Sequence, residues 1–292
     1  ALNDVTDEDD LNIRRARIFA KGKVAGDWSY KAQFNIGEGN GGTPEDLYIT
    51  YGGWGKAAKL SVGKQRVVFG LEDLTSSNDI TALERSGITE QYGVARQDSI
   101  RLHGEVGSAY YSISAYEDSA APADDDFGLS ARVAYVPVKS DDMLIHLGLG
   151  YTERGGDRNA TGIEFAGNFG SFHVQSEFFE EEQAGVDRDG YYVQAGWIMT
   201  GETRPYKDGK FKRVKPNSDS GAWELFARLE EGDGNHGDIE LGSVDASAYT
   251  VGVNWYANSN VRFGANYSEG ESNVPGSDDE GEEFRVRLQL TF

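Results

Sequence analysis

The stretch EEFRVRLQLTF, residues 282–292, alternates without interruption. Phe284, Val286, Leu288, Leu290 and Phe292 fall on one side of an extended chain, and Arg285, Arg287, Gln289 and Thr291 on the other, because successive side chains of a strand point to opposite faces. The same period runs back through the sequence. It carries Ala16, Ile18 and Ala20; Trp28, Tyr30, Ala32, Phe34 and Ile36; Leu47, Ile49 and Tyr51; Leu129, Ala131, Val133 and Tyr135; Tyr191, Val193, Ala195 and Trp197; and Tyr249, Val251, Val253 and Trp255. Fifteen such segments can be counted, and helical periodicity is nearly absent.

A soluble sheet protein of this length needs some strands apolar on both faces to build a core between layers. Here nearly every segment is apolar on one face only. One sheet closed on itself, its outside in lipid and its inside wet, satisfies that pattern. The expected fold is therefore all-β: a transmembrane antiparallel β-barrel, one domain over residues 1–292. Aromatic residues near segment ends (Trp28, Tyr51, Tyr135, Tyr151, Trp223, Trp255, Tyr267) suit the girdles at the two membrane interfaces.

Composition agrees. Mean hydropathy of −0.56 looks soluble, but alternation dilutes apolar residues in a barrel, and no stretch approaches the roughly 20 apolar residues of a spanning helix. The net charge of −21 argues against a nucleic-acid partner. With no cysteine, neither a disulfide framework nor a thiolate metal site or nucleophile is available.

Connection lengths also alternate. Short turns at 25–27, 54–57, 107–108, 169–171 and 258–260 are expected on the periplasmic side, and longer polar links such as EDSAAPADDDF, EEEQAGVDRD and SNVPGSDDEGEE outside the cell. Two segments break the rhythm: 66–97, too long for a hairpin loop, and 200–220, a basic link on the short-turn side. Bacterial barrels have even strand counts, so an odd fifteen leads to the expectation of a first strand upstream of Ala1.

The segments VGKQRVVFGLEDLTSSNDITALERS (62–86), NIRRARIFAKGKVAGDWSYKAQFNI (12–36), GYYVQAGWIMTGETRPYKDGKFKRVKP (190–216), GAWELFARLEEGDG (221–234) and YTVGVNWYANSNVRFGANY (249–267) resemble the phosphate- and polyphosphate-selective porin family of Gram-negative outer membranes. The likeness runs in order from about Arg14 to Phe292. It implies a homotrimer of 16-stranded barrels in the outer membrane, with 66–97 as an inward-folded constriction loop. It also implies an arginine pair, Arg14 and Arg15, near the pore mouth, Arg85 on the constriction loop, and Ser76 and Ser77 lining the binding zone. Where phosphate-selective relatives carry lysine just after FGLE, this chain has Asp73, followed by Asp79. Carboxylates among the pore-loop donors are expected to weaken phosphate selectivity.

By alternation the inner wall carries Arg15, Arg17, Lys21, Lys23, Lys31, Lys59, Arg101, Arg132, Arg228, Arg262, Arg285 and Arg287, against Glu105, Glu164, Glu177 and Glu224. A ladder of cations gives an anion a series of shallow wells, and arginine's planar fork matches phosphate. The glutamates either pair with arginines across strands or take part in transport. The acid lies in the links, for example Asp124, Asp125, Asp126, Glu180, Glu181 and Glu182, where it can face lipopolysaccharide and share divalent cations with it.

The expected function is a water-filled outer-membrane channel for small solutes and ions, anions including phosphate among them. The alternative is a general or cation-tolerant porin. An enzyme reading needs a nucleophile and base together, but His103, His146 and His173 are single wall residues, His236 falls in a link, and no Gly-x-Ser-x-Gly motif is present. A soluble β-rich binding protein is the remaining rival. No cofactor is implied.

Overall fold

The computed structural model describes residues 11–37, 41–121, 126–183, 185–234, 245–274 and 277–292. His236, Asp124 and Asp125 lie outside them. In chain order the elements are β1 (Arg17–Lys23), β2 (Trp28–Asn35), β3 (Thr43–Tyr51), β4 (Lys59–Arg66), α1 (Leu71–Leu74), α2 (Gly87–Tyr92), β5 (Arg96–Val106), β6 (Ala109–Glu117), β7 (Phe127–Lys139), β8 (Met143–Arg154), β9 (Arg158–Phe169), β10 (Phe172–Gln183), β11 (Val186–Ile198), β12 (Tyr206–Lys207), β13 (Lys210–Phe211), β14 (Ala222–Gly234), β15 (Asp245–Tyr256), β16 (Val261–Val274) and β17 (Ser277–Leu290).

Fifteen of these strands form one antiparallel sheet in which each pairs with its neighbours in sequence, and β12 and β13 form a separate hairpin. The quoted segment lies in β17, in register with β16 (Phe284 opposite Tyr267, Val286 opposite Ala265, Leu288 opposite Phe263). The face pattern is inverted relative to a soluble protein. On β7, Leu129, Val133 and Tyr135 are exposed while Ser130 and Arg132 are buried. That surface of apolar side chains is stable against hydrocarbon, not water. At the short-turn end aromatics form a belt, with Trp28, Tyr51 and Trp54 in contact, Phe172 stacked on Trp197, and Trp223, Trp255 and Phe263 stacked in series. At the other end the outward Tyr267 hydroxyl donates to Glu282 at 2.8 Å.

The connections differ from the expected long loops in one respect. EEEQAGVDRD is mostly ladder, since Glu180, Glu181 and Glu182 pair with Asp189, Arg188 and Asp187. This polar link is largely an extension of β10 and β11.

Residues 67–95 pass through the middle of the sheet's curvature, and the wall grips them from many sides. Ser130 of β7 donates to Val68 O, Asn254 of β15 to Thr81 O, Arg262 of β16 to Ile80 O and Arg287 of β17 to Leu83 O. A loop reached from strands so far apart in the order sits inside a sheet curled round it. Glu177 of β10 accepts from the N–H groups of Leu71 and Glu72 at 2.5 and 2.8 Å, filling orphan donors at the start of α1. Gly70 makes this possible: its φ is +87°, and a Cβ there would stand 2.9 Å from Glu177 Oε1.

No ladder joins β1 to β17 among the described residues. The two edges instead meet through Glu84 on the constriction loop, which takes Arg14 and Arg15 from one side and Arg285 and Arg287 from the other.

Candidate functional site

The lumen is filled unevenly. On the β6 to β11 side, the constriction loop packs against the wall in an apolar cluster of Val67, Phe69, Tyr92, Val94, Tyr116, Ala160 and Phe179. Nearer the short turns a second cluster joins Leu71 of α1 to Val136, Leu144 and Ala166 of the wall and to Phe211 of the β12–β13 hairpin. The link 200–220 is thus not the solvated turn its basic composition suggests. It folds into the barrel, with Phe211 and Val214 buried.

What stays open lies against β1 to β5. This cavity of about 590 Å³ is lined by eight cationic side chains, Arg15, Arg17, Lys31, Arg66, Arg85, Arg96, Arg101 and Lys210, and by two carboxylates, Asp46 and Glu90. Ser76, Ser77, Thr75, Gln65 and Tyr48 add hydroxyl and amide groups. Several of the cations are spoken for. Arg17 and Arg96 share Glu45 at 2.8 and 2.9 Å, Arg96 reaches Asp46 at 2.7 Å, Lys31 pairs with Asp46, and Arg15 with Glu84 at 3.1 Å. Arg85 is held by the loop's own carbonyls, Glu72 O at 3.2 Å and Thr75 O at 2.7 Å, with Glu90 at 3.9 Å. Arg101 donates to Arg66 O at 3.3 Å, while its Nε has no partner among the described residues. Buried guanidinium groups that lack a carboxylate partner are groups an entering anion can satisfy.

The residues expected in the pore divide accordingly. Arg15, Arg17, Lys31, Arg101, Arg85, Ser76 and Ser77 meet at the cavity. Arg132, Arg228, Arg262, Arg285 and Arg287 are on the inner face but do not line it. Arg132 is locked to Glu164 by two 2.6 Å bonds, and Arg228 binds Glu230 at 2.5 Å and Glu84 O at 3.1 Å. Arg262 is taken up by the carbonyls of Ile80 and Thr81 and by Asn254, and Arg285 and Arg287 clamp Glu84. Inserted segments occupy the space these arginines face, the constriction loop for most of them and the β12–β13 hairpin for Arg132, so they hold those segments instead of solute. Arg14, Lys21 and Lys59 are also absent from the lining.

Asp73 and Asp79 are likewise off the lining, although Asp73 pairs with a cation that is on it. Asp73 is buried, pairs with Arg66 and does not line the cavity. Asp79 accepts from Arg213 N at 3.3 Å and faces Lys212 at 3.6 Å, again outside the lining. Neither carboxylate stands among the pore-loop donors, and each sits beside a cation. Three of the inner glutamates are likewise engaged by the protein: Glu224 takes His173, Asn254 and Tyr256 at 2.8, 2.7 and 2.7 Å, Glu164 takes His146 at 2.9 Å, and Glu177 holds the start of α1.

Sequence reasoning missed Arg66, Arg96 and Lys210. Arg66 and Arg96 face each other in register, and two-residue counting from Leu60, Val62, Ile100 and Leu102 puts both on the lipid side. They are the terminal pair of the β4–β5 ladder, where the chain leaves the sheet for the constriction loop; alternation holds as far as the buried Gln65 and Gln97, and positive φ at Ala95 (+63°) turns the chain just before Arg96. Lys210 had a signal in the basic run GKFKRVKP, but not one that placed it inside.

Glu84 makes one pH prediction. Burial opposes its ionisation, but Arg287, Arg15 and Arg14 overcome this and hold its carboxyl well down, at about 2 against an ordinary 4.5. A depressed carboxylate contributes fully above its unfolded value and loses that contribution as pH falls through the folded one. Single-channel conductance is expected to stay quiet at neutral pH and to become noisy only as pH falls from about 4.5 towards about 2. Glu84→Gln should show that noise at neutral pH already, and a quiet variant there would remove the clamp role.

The family described as phosphate-selective porin O and P matches residues 2–184 and 152–292, together nearly the whole chain. Porin O of Pseudomonas aeruginosa is 29% identical, over 96% of this chain and 82% of the relative. Among solved structures, the trimer form of OmpT from Vibrio cholerae is similar at 16% identity with a TM-score of 0.61, over 94% of this chain and 90% of that one. The anion-selective porin from Comamonas acidovorans is similar at 13% identity with a TM-score of 0.60, over 94% and 87%. The two structural likenesses are of fold, and they agree with an antiparallel porin barrel. The chain is therefore a porin of the Gram-negative outer membrane and belongs to the phosphate-selective porin O and P family.

Proposed function

We propose that the pore passes small anions, phosphate among them, by diffusion through the cavity between the constriction loop and β1 to β5. The observation that carries this reading is the lining: eight cations against two carboxylates in a chain whose net charge is −21. Even when Glu45, Asp73 and Glu84, which pair with lining cations from behind, are counted with Asp46 and Glu90, eight cations stand against five carboxylates, so the pathway's sign is opposite to that of the molecule. Serial cationic wells of this kind favour entry and still let an ion leave.

The relatives' names support the same reading, one being Porin O and a structural neighbour being an anion-selective porin. The trimer form of OmpT, a structural neighbour, supports assembly as a homotrimer. Outward carboxylates such as Glu269 and Glu282, beside Tyr249 and Tyr267 at the long-loop end, suit divalent cations shared with lipopolysaccharide phosphates. His146 and His173 serve as partners of the wall carboxylates Glu164 and Glu224, and His103 bonds the Ser61 hydroxyl, which suits a channel rather than a catalyst.

The test is titration of chloride current with inorganic phosphate in a planar bilayer. Current through the wild-type pore should fall as phosphate fills the cationic wells. Chloride current indifferent to phosphate would reduce the pore to a general one.

A further inference from the structure

The hairpin β12–β13 enters the lumen from the short-turn end and meets the constriction loop, which descends from the other. Lys210 stands at that meeting point. Its Nζ donates to Leu74 O, at the end of α1, at 3.2 Å. An ammonium has three donors, and Lys210 lines the same cavity as Arg101 and Arg85. On its hairpin the neighbouring Lys212 is the residue that reaches a carboxylate, Asp79 at 3.6 Å; Lys210 makes no ion pair among the described residues.

We propose that Lys210 is a selectivity-determining residue of the pore, its ammonium completing with Arg101 and Arg85 a cationic site for small inorganic anions. The proposal rests on the reading of this cavity as an anion passage and adds to it a contribution from the opposite end of the barrel. The site is assembled from three separate segments, β5, the constriction loop and the inward hairpin, so it exists only when both inserted segments are in place.

Its chemistry differs from that of the arginines, because lysine loses its proton far more readily when buried. Burial, with Lys212 and Arg101 nearby, pushes Lys210 down to about 7. The charged groups around it are Lys212 and Asp208 from its own hairpin, Arg101 from β5 and Asp79 from the constriction loop. Tyr110 of β6 packs on the adjoining Gly209, whose carbonyl also accepts from Arg132 of β7. The ammonium is present below about 7 and lost above it, so the anion preference should fall as pH rises through neutrality while the arginines keep a residual preference.

The experiment compares wild type, Lys210→Gln and Lys210→Arg as full-length chains in planar bilayers under a KCl gradient, one pH unit either side of about 7. Sulfate is the blocking probe, because its charge does not change in this interval whereas that of phosphate does. Wild type should show stronger anion preference and roughly tenfold tighter sulfate block at the lower pH, the scale of one charge-assisted hydrogen bond. K210Q should be weak on both sides with no step, and K210R strong on both sides with no step. A step that persists in K210R, or a K210Q pore that matches wild type at the lower pH, overturns the role of Lys210 while leaving an anion passage standing. A wild-type pore with no anion preference on either side overturns that passage and this proposal with it.

Discussion

Glu164→Ala is expected to destabilise the barrel by about 3–5 kcal/mol, the cost of leaving a buried charge without its partner. Glu164 takes both forks of Arg132 at 2.6 Å and His146 Nε2 at 2.9 Å, and all three side chains are nearly or fully buried. His146 Nδ1 in turn hydrogen-bonds the Tyr206 hydroxyl at 2.6 Å, and Arg132 donates to Gly209 O at 3.4 Å. One carboxylate therefore ties the wall to the first residue and to the turn of the inward hairpin. Removing it should lower the urea midpoint of refolding into vesicles and loosen the link 200–220 to protease from the short-turn side. The paired replacement Arg132→Met with Glu164→Leu should recover most of the loss, since a buried ion pair exchanged for apolar groups is often neutral. A Glu164→Ala barrel as stable as wild type would mean that the hairpin is held by its apolar contacts alone.

Arg101→Glu is the second large effect, and it acts on transport. Arg101 projects from β5 into the cavity without a carboxylate partner among the described residues. Reversing its sign changes the local charge by two units with no existing ion pair to break. At a few ångströms, even water-like screening leaves about 1 kcal/mol per unit charge, so the anion-to-cation permeability ratio should fall on the order of tenfold. The same change at Arg262, whose guanidinium is consumed by the carbonyls of Ile80 and Thr81, should instead damage folding. An Arg101→Glu pore with wild-type selectivity would place the ion path elsewhere.

The fold was readable because alternation is a local signal and the membrane leaves one arrangement for it. Phe284 to Phe292 and Leu129 to Tyr135 carry their orientation in the sequence, and the sheet's fifteen strands follow the counted segments. The site was readable only in part. Alternation tells which face a residue occupies but not what occupies the space in front of it. Arg132, Arg228 and Arg262 are inward, as their parity says, yet they face an inserted loop and hold it. Arg66 and Arg96 fail for the opposite reason, since they stand at the strand ends where the chain turns into the constriction loop and parity no longer governs. Asp73 shows the limit of comparing single positions: a carboxylate in the pore loop reads as repulsive until Arg66 is found beside it. Lys210 could not be placed from sequence because entry of its hairpin depends on Phe211 packing with Leu71 and Leu144, residues distant along the chain.

The measurement that bears most directly on the cationic pathway is the zero-current potential of the wild-type pore across a planar bilayer, under a KCl gradient held near 0.1 M, where the Debye length of about 10 Å leaves the lining charges effective. A potential displaced toward the chloride equilibrium value is expected from a lining of eight cations and two carboxylates, part of whose charge is paired with Glu45, Asp73 and Glu84. A potential near zero, or displaced toward the potassium value, would contradict that pathway and assign the ion path to the acidic parts of the molecule.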